Sequence, residues 1–124
     1  MGLKVSKHRV DHGEGSFLVA GISGVVDLFT SPKLWTELVV EEIDEGAFLV
    51  VLDLERVESL DHHGLGVLAG ALARVRANGG ALALAGVGET VLDALELARF
   101  DEIIPIADTV EEAIAMASGE EPAP

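Results

Sequence analysis

The stretch Ala47-Phe48-Leu49-Val50-Val51-Leu52-Asp53-Leu54 constrains the fold of this chain more than any other. It is short, nearly all apolar and without alternation, the pattern of a central strand covered on both faces. A strand of that kind needs a layer of structure above it and another below. The 124 residues, 49% of them hydrophobic, supply apolar material for one core and one domain. Aromatics are scarce, Trp35 and four Phe, so the core has to be built from Leu, Val, Ile and Ala packed between regular layers. An α/β class is expected.

The rest of the chain punctuates around that strand. After Asp61, the residues Leu65, Leu68, Leu72 and Val75 mark a helical stripe that stops at Asn78-Gly79-Gly80. Ala81 to Ala85 reads as a second buried strand, Glu89 to Leu97 as a helix, and Ile103 to Ile106 as a short strand. Val110 to Met116 reads as a last helix with Asp108 or Thr109 at its start. Strands and helices that alternate in this way imply parallel pairing through crossover helices. Upstream, Val5 to Val10 and Ser16 to Ile22 flank the turn-like Asp11-His12-Gly13-Glu14-Gly15 and read as a hairpin. Thr30-Ser31-Pro32 opens a helix whose Leu34, Trp35, Leu38 and Val39 recur at helical spacing, with Glu37, Glu41, Glu42 and Asp44 on the outward face. Trp35 is expected in the core rather than as a ligand platform. Residues 1–118 make up the expected domain, and 119–124, acidic and Pro-containing, a frayed tail.

Charge and composition exclude several function classes. Eight Lys and Arg against 22 Asp and Glu leave a formal charge of -14, which opposes phosphate backbones and anionic lipid, so no nucleic acid and no membrane partner is expected. Without cysteine there is no disulfide and no thiolate chemistry. The N-terminal stretch has no apolar signal region and no run approaches the roughly 20 residues of a membrane-spanning helix, so a cytoplasmic protein is expected. No nucleophile is paired with a base, and Gly86-Val87-Gly88-Glu89 lacks the lysine of a phosphate-binding loop. Neither an enzyme activity nor a cofactor is expected.

From Val50 to Ile114 the chain resembles the STAS domain family, and Gly24-Val25-Val26-Asp27 followed by Thr30-Ser31-Pro32-Lys33-Leu34 is similar to that family's Gly-Glu-Leu-Asp turn and first helix. The resemblance covers roughly residues 5 to 117. Its most specific part is a buried strand ending in Asp, then Asp-x-x-Gly-Leu-Gly opening a helix, then Gly-Gly opening a strand. The resemblance implies a single STAS domain with a mixed four- to five-stranded sheet and about four helices packed mainly on one face. It also implies docking on a partner through the loop and helix after the central strand, with Asp27, Asp61, His62, His63, Gly64, Leu65 and Gly66 at the contact. The implied partner is an anti-sigma factor with a serine-kinase fold, from which phosphorylation of the serine after the motif aspartate releases the antagonist.

This chain departs from the pattern at that serine. Where the family has Asp-Ser-Ser-Gly or Asp-Ser-Thr-Gly, it has Asp61-His62-His63-Gly64, so His62 stands at the acceptor position and no hydroxyl remains. Val25 stands where the turn usually has Glu, and Ala98-Arg99-Phe100 replaces a Thr-Gly-Leu-like segment. The resemblance therefore implies either an anti-sigma factor antagonist without the usual switch, or a non-switching STAS scaffold or sensor module in a larger signalling or transport-associated complex.

The residue chemistry here has plain readings beside the sharper ones. Asp61 is placed to accept from exposed N–H groups as an N-cap. Gly64 and Gly66 cost helix stability and so call for a packing or docking reason. His62 and His63 meet the positive end of the helix dipole and are expected to be mostly neutral. A metal held by the pair with Asp27 or Asp61 is set against the fact that adjacent helical residues project about 100° apart, so no metal site is expected. Phosphohistidine at a helix N-terminus is set against a kinase geometry built for an oxygen nucleophile. Ser59, Thr30 and Ser31 are the nearest hydroxyls for a displaced phosphorylation, against ordinary roles as an exposed strand-end residue and in helix capping. His8 and His12, near the hairpin, are expected to be solvated.

Overall fold

In a computed structural model, which describes residues 2–120, the apolar run begins strand β3 (Leu49–Leu60). Two parallel neighbours enclose β3, β2 (Gly15–Val26) on one side and β4 (Ala81–Ala85) on the other. At one edge β1 (Lys4–His12) pairs antiparallel with β2, and at the other β5 (Ile106–Ala107) pairs parallel with β4, giving the order β1-β2-β3-β4-β5. Val50, Val51 and Leu52 have no exposed surface, as a strand covered on both faces requires.

Beyond Asp53 the strand changes character. Pairing with β4 ends at Asp53 opposite Ala85, while pairing with β2 runs on to Leu60 opposite Val26. Two register shifts occur there, from Gly21 opposite Asp53 to Ser23 opposite Arg56, and from Gly24 opposite Val57 to Val25 opposite Ser59, and each adds one residue to β3. Leu54, Val57 and Leu60 stay buried while Glu55, Arg56 and Glu58 face solvent. The bulges thus carry Leu60 and the following Asp61 to one end of the sheet, beside the end of β2.

The helices lie mainly on one face. There α1 (Ser31–Leu34) runs into a π-helical segment, Trp35–Ile43, and with α2 (His62–Ala77) and α3 (Glu89–Leu97) covers Leu18, Ala20, Val50 and Leu52. The opposite face is covered by α4 (Val110–Ala117), whose Ala113 and Ile114 meet Phe17, Val19, Val51 and Ala83. The architecture is the expected one of a single α/β domain with a mixed sheet. Among the described residues no helix is long and apolar enough to cross a membrane.

Three local expectations need correction. The first helix widens into π-helical turns because its buried residues Leu34, Leu38, Val39 and Ile43 recur four and five apart; the N–H groups of Asp44 and Ala47 reach back five residues, to the carbonyls of Val39 and Glu42. Trp35 is only half-buried, its ring lying over Gly70 with the Arg74 guanidinium 4.6 Å from the ring centroid. The strand expected from Ile103 to Ile106 follows a turn of 3₁₀ helix (Phe100–Glu102) and starts only at Ile106, residues 103–105 forming a turn, because Pro105 has no N–H to give a ladder. At the other terminus, Gly119 and Glu120 donate to the carbonyls of Met116 and Ala115 and close α4, and the remainder of the expected tail, 121–124, lies outside the described residues.

Candidate functional site

Helix α2 begins where β3 stops, and Asp61 makes the junction. Its N–H donates to the Val26 carbonyl at 3.1 Å, tying the helix start to the end of β2. The extended backbone of Asp61 (φ -98°, ψ -171°) lets Oδ1 accept from the N–H groups of His63 at 2.8 Å and Gly64 at 3.3 Å, so the carboxylate is the N-cap. Oδ2 remains outside this cap, 3.3 Å from His63 Nδ1. Partial desolvation raises the Asp61 pKa, but the hydrogen bonds from the Gly64 N–H, the His63 ring and the His63 N–H outweigh it, and the carboxyl sits below its ordinary value.

The residues that follow divide by exposure. His62 is exposed and His63 half-buried, with ring centroids only 4.0 Å apart and the planes tilted by 37°. The divergence expected of neighbouring helical residues is therefore not realised, because the first turn lets both rings lean together. Gly64 is buried: a Cβ there would meet Leu60 Cδ1 and lie 2.8 Å from Val26 Cγ1. It lets α2 seat closely against the strand ends. A Cβ on Gly66 would meet nothing within 4 Å, so packing does not demand that glycine. Leu65 is half-buried and packs against the core edge.

Asp27 heads the neighbouring loop and is spent within it. Its Oδ1 accepts from the N–H groups of Phe29 at 2.8 Å and Thr30 at 3.0 Å, with the Thr30 hydroxyl 3.2 Å away. That hydroxyl donates to the Val25 carbonyl at 2.7 Å and accepts from the Asp27 N–H at 2.9 Å, so it joins the loop to β2 and does not cap α1. Ser31 is buried. Ser59 is half-buried and sits opposite Val25 in the ladder, not on an exposed strand end. Asp27 also takes no part in the cluster of metal-ligating atoms formed by Asp61, His62 and His63. His8 is exposed as expected, whereas His12 is half-buried and pairs with Glu120.

Beside the candidate site stand two exposed apolar residues that sequence reasoning missed. Leu28 and Phe29, in the loop that Asp27 closes, are 55% and 86% exposed. The available signal was two large apolar residues between a turn aspartate and a helix-start threonine, a place where polar residues are ordinary.

With this geometry established, similarity to known proteins bears on identity. The STAS domain profile matches residues 9–113. An anti-sigma-B factor antagonist of Listeria monocytogenes is 33% identical over 85 residues, 68% of this chain and 74% of the relative. A candidate anti-sigma factor antagonist of Bordetella bronchiseptica, BtrV, is 30% identical over 113 residues, 91% of this chain and 93% of the relative. The crystal structure of a candidate anti-sigma factor antagonist from Thermotoga maritima superposes with a TM-score of 0.84 at 25% identity, covering 92% of this chain and 94% of that one. The matched span, the sheet order and the capped helix after β3 agree, and the chain belongs to the STAS domain family.

Proposed function

We propose that this chain is an anti-sigma factor antagonist that docks on an anti-sigma factor of serine-kinase fold in the cytoplasm, and that it does so without the phosphorylation switch of its relatives. The observation that supports the reading is a capped helix start without a hydroxyl: the Asp61 cap is in place, and exposed His62 stands where the resemblance puts the acceptor. No nearby hydroxyl is a ready substitute, since Thr30 is engaged at both ends, Ser31 is buried and Ser59 lies within the ladder. The contact surface runs from Leu28 and Phe29 across Asp61 and His62 to Gly66, with His63 and Leu65 at its inner margin. Asp27 supports it by shaping the loop.

Restoring the acceptor tests this. A phosphate at position 62 adds about 1.5 to 2 negative charges beside Asp61 on a surface that has to be desolvated on docking, so binding weakens while the fold survives. The measurement is phosphate transfer and partner release with the kinase co-purified from the native host, comparing wild type, His62→Ser and His63→Ser. Wild type is expected to stay unmodified and bound, and His62→Ser to be modified and released. Modification of wild type at Ser59, Thr30 or Ser31 that releases the partner would overturn the claim of a lost switch, and an acid-labile phosphate on His62 would replace it with histidine phosphorylation.

A further inference from the structure

In the first turn of α2 the two histidine rings lie together, with centroids 4.0 Å apart. Asp61, His62 and His63 each offer a ligand atom, and these atoms all lie within 4.8 Å of one another. Two donors bound to one tetrahedral zinc stand about 3.4 Å apart, given metal–ligand bonds of about 2.0–2.2 Å. His63 Nδ1 and Asp61 Oδ2 already stand 3.3 Å apart. His62 is exposed, so rotation of its side chain can close the remaining gap without disturbing the core.

We propose that Asp61, His62 and His63 bind one divalent transition-metal ion of the imidazole-preferring class, Zn²⁺ first among them, on the docking surface.

The division of labour on Asp61 makes this compatible with the fold. Oδ1 holds the helix N–H groups, and Oδ2 faces His63 Nδ1, where an ion would take the place of the shared proton, so the cap and the ligand use different oxygens. The cap bonds orient the carboxylate as an outer shell would. Two imidazoles and one carboxylate are the donor set of zinc and its first-row neighbours, not of Ca²⁺ or Mg²⁺, which take oxygen shells. The positive end of α2 opposes a cation, but that effect is small beside metal–imidazole bonding, and the carboxylate and the net charge of -14 both favour the ion. Three ligands on a half-exposed turn leave coordination positions open to water or to a partner side chain. The ion would thus sit where the relatives' phosphate would, with the opposite charge; this consequence for docking rests on the proposed function, whereas ion binding does not.

The test is calorimetric titration of the full chain, freed of any histidine tag, with Zn²⁺ in a non-chelating buffer, together with the melting midpoint. One ion per chain and a midpoint that rises with Zn²⁺ are expected. His62→Ala and His63→Ala should each weaken binding by more than about tenfold, while His8→Ala, remote from the cluster, leaves it unchanged; circular dichroism confirms that each variant is folded. Absence of saturable binding overturns the inference, and so does binding that survives the double substitution of His62 and His63. Both readouts use the isolated chain, so failure to find a kinase partner would break the proposed function without touching this result.

Discussion

Two connections at the same end of the sheet, the loop after β2 and the junction of β3 with α2, begin with an aspartate, and the two carboxylates do different work. Asp27 turns into its own loop, with Oδ1 taken by the N–H groups of Phe29 and Thr30, and the loop it closes leaves Leu28 and Phe29 in solvent. Asp61 caps a long helix with Oδ1 and leaves Oδ2 beside the His63 ring at the surface. The first aspartate therefore builds the presentation of an apolar contact, and the second is itself presented. A motif aspartate does not carry its role in its identity; the hydrogen bonds made by each oxygen decide it.

The largest effect is expected where α2 is seated behind the second aspartate. Gly64→Val forces a branched side chain against Leu60 and Val26, and should cost about 2–3 kcal/mol in urea denaturation. A near-neutral result would mean that α2 can lift off the strand ends, and the tie between the two loops would be lost. Phe29→Ala comes next: partner affinity should fall about tenfold or more with the unfolding midpoint nearly unchanged, and equal loss of stability would make Phe29 a folding residue. Asp27→Ala removes the acceptor of the first loop and should lower stability by about 1 kcal/mol.

Asp61→Ala should lower the melting midpoint by about 2–4 °C through loss of the cap, and Asp61→Asn, itself a good cap, should recover most of it. If both variants melt alike, the cap contributes nothing and the charge everything. The smallest expected effect is on pH dependence. Because the folded-state pKa of Asp61 lies below its ordinary value of 3.8, its charged form contributes stability that is complete above that value and is lost as pH falls through the depressed folded one. An acid titration of stability should therefore show a slightly shallower loss in Asp61→Asn than in wild type, and identical curves would remove the preference for the charged form.

Much of the fold was legible in the chain. Ala81–Ala85 and Glu89–Leu97 have the limits expected, and α2 starts one residue after the anticipated cap. These elements carry strong local signals: an apolar run, a period near 3.6 and a glycine stop. The π-helical turns of 35–43 did not announce themselves, because spacings of four and five residues overlap the ordinary helical pattern. At the site, the cap and the missing hydroxyl were legible, while the pairing of the histidine rings and the burial of Gly64 were not. Ring approach depends on side-chain torsions, and the crowding of Gly64 comes from Leu60 and Val26 folded against it.

By itself the sequence determined the class of the fold, the central strand, the capped helix after it and the absence of a hydroxyl at positions 62 and 63. Each of these is written in residue identity or in spacing over a few turns. Only the tertiary structure decided how far β3 follows β2, which glycine is buried, which partner each Asp61 oxygen takes, and that Phe29 stands in water. Those properties depend on the register between β2 and β3 and on how α2 is seated across their ends, contacts between residues far apart in the chain that no local pattern encodes.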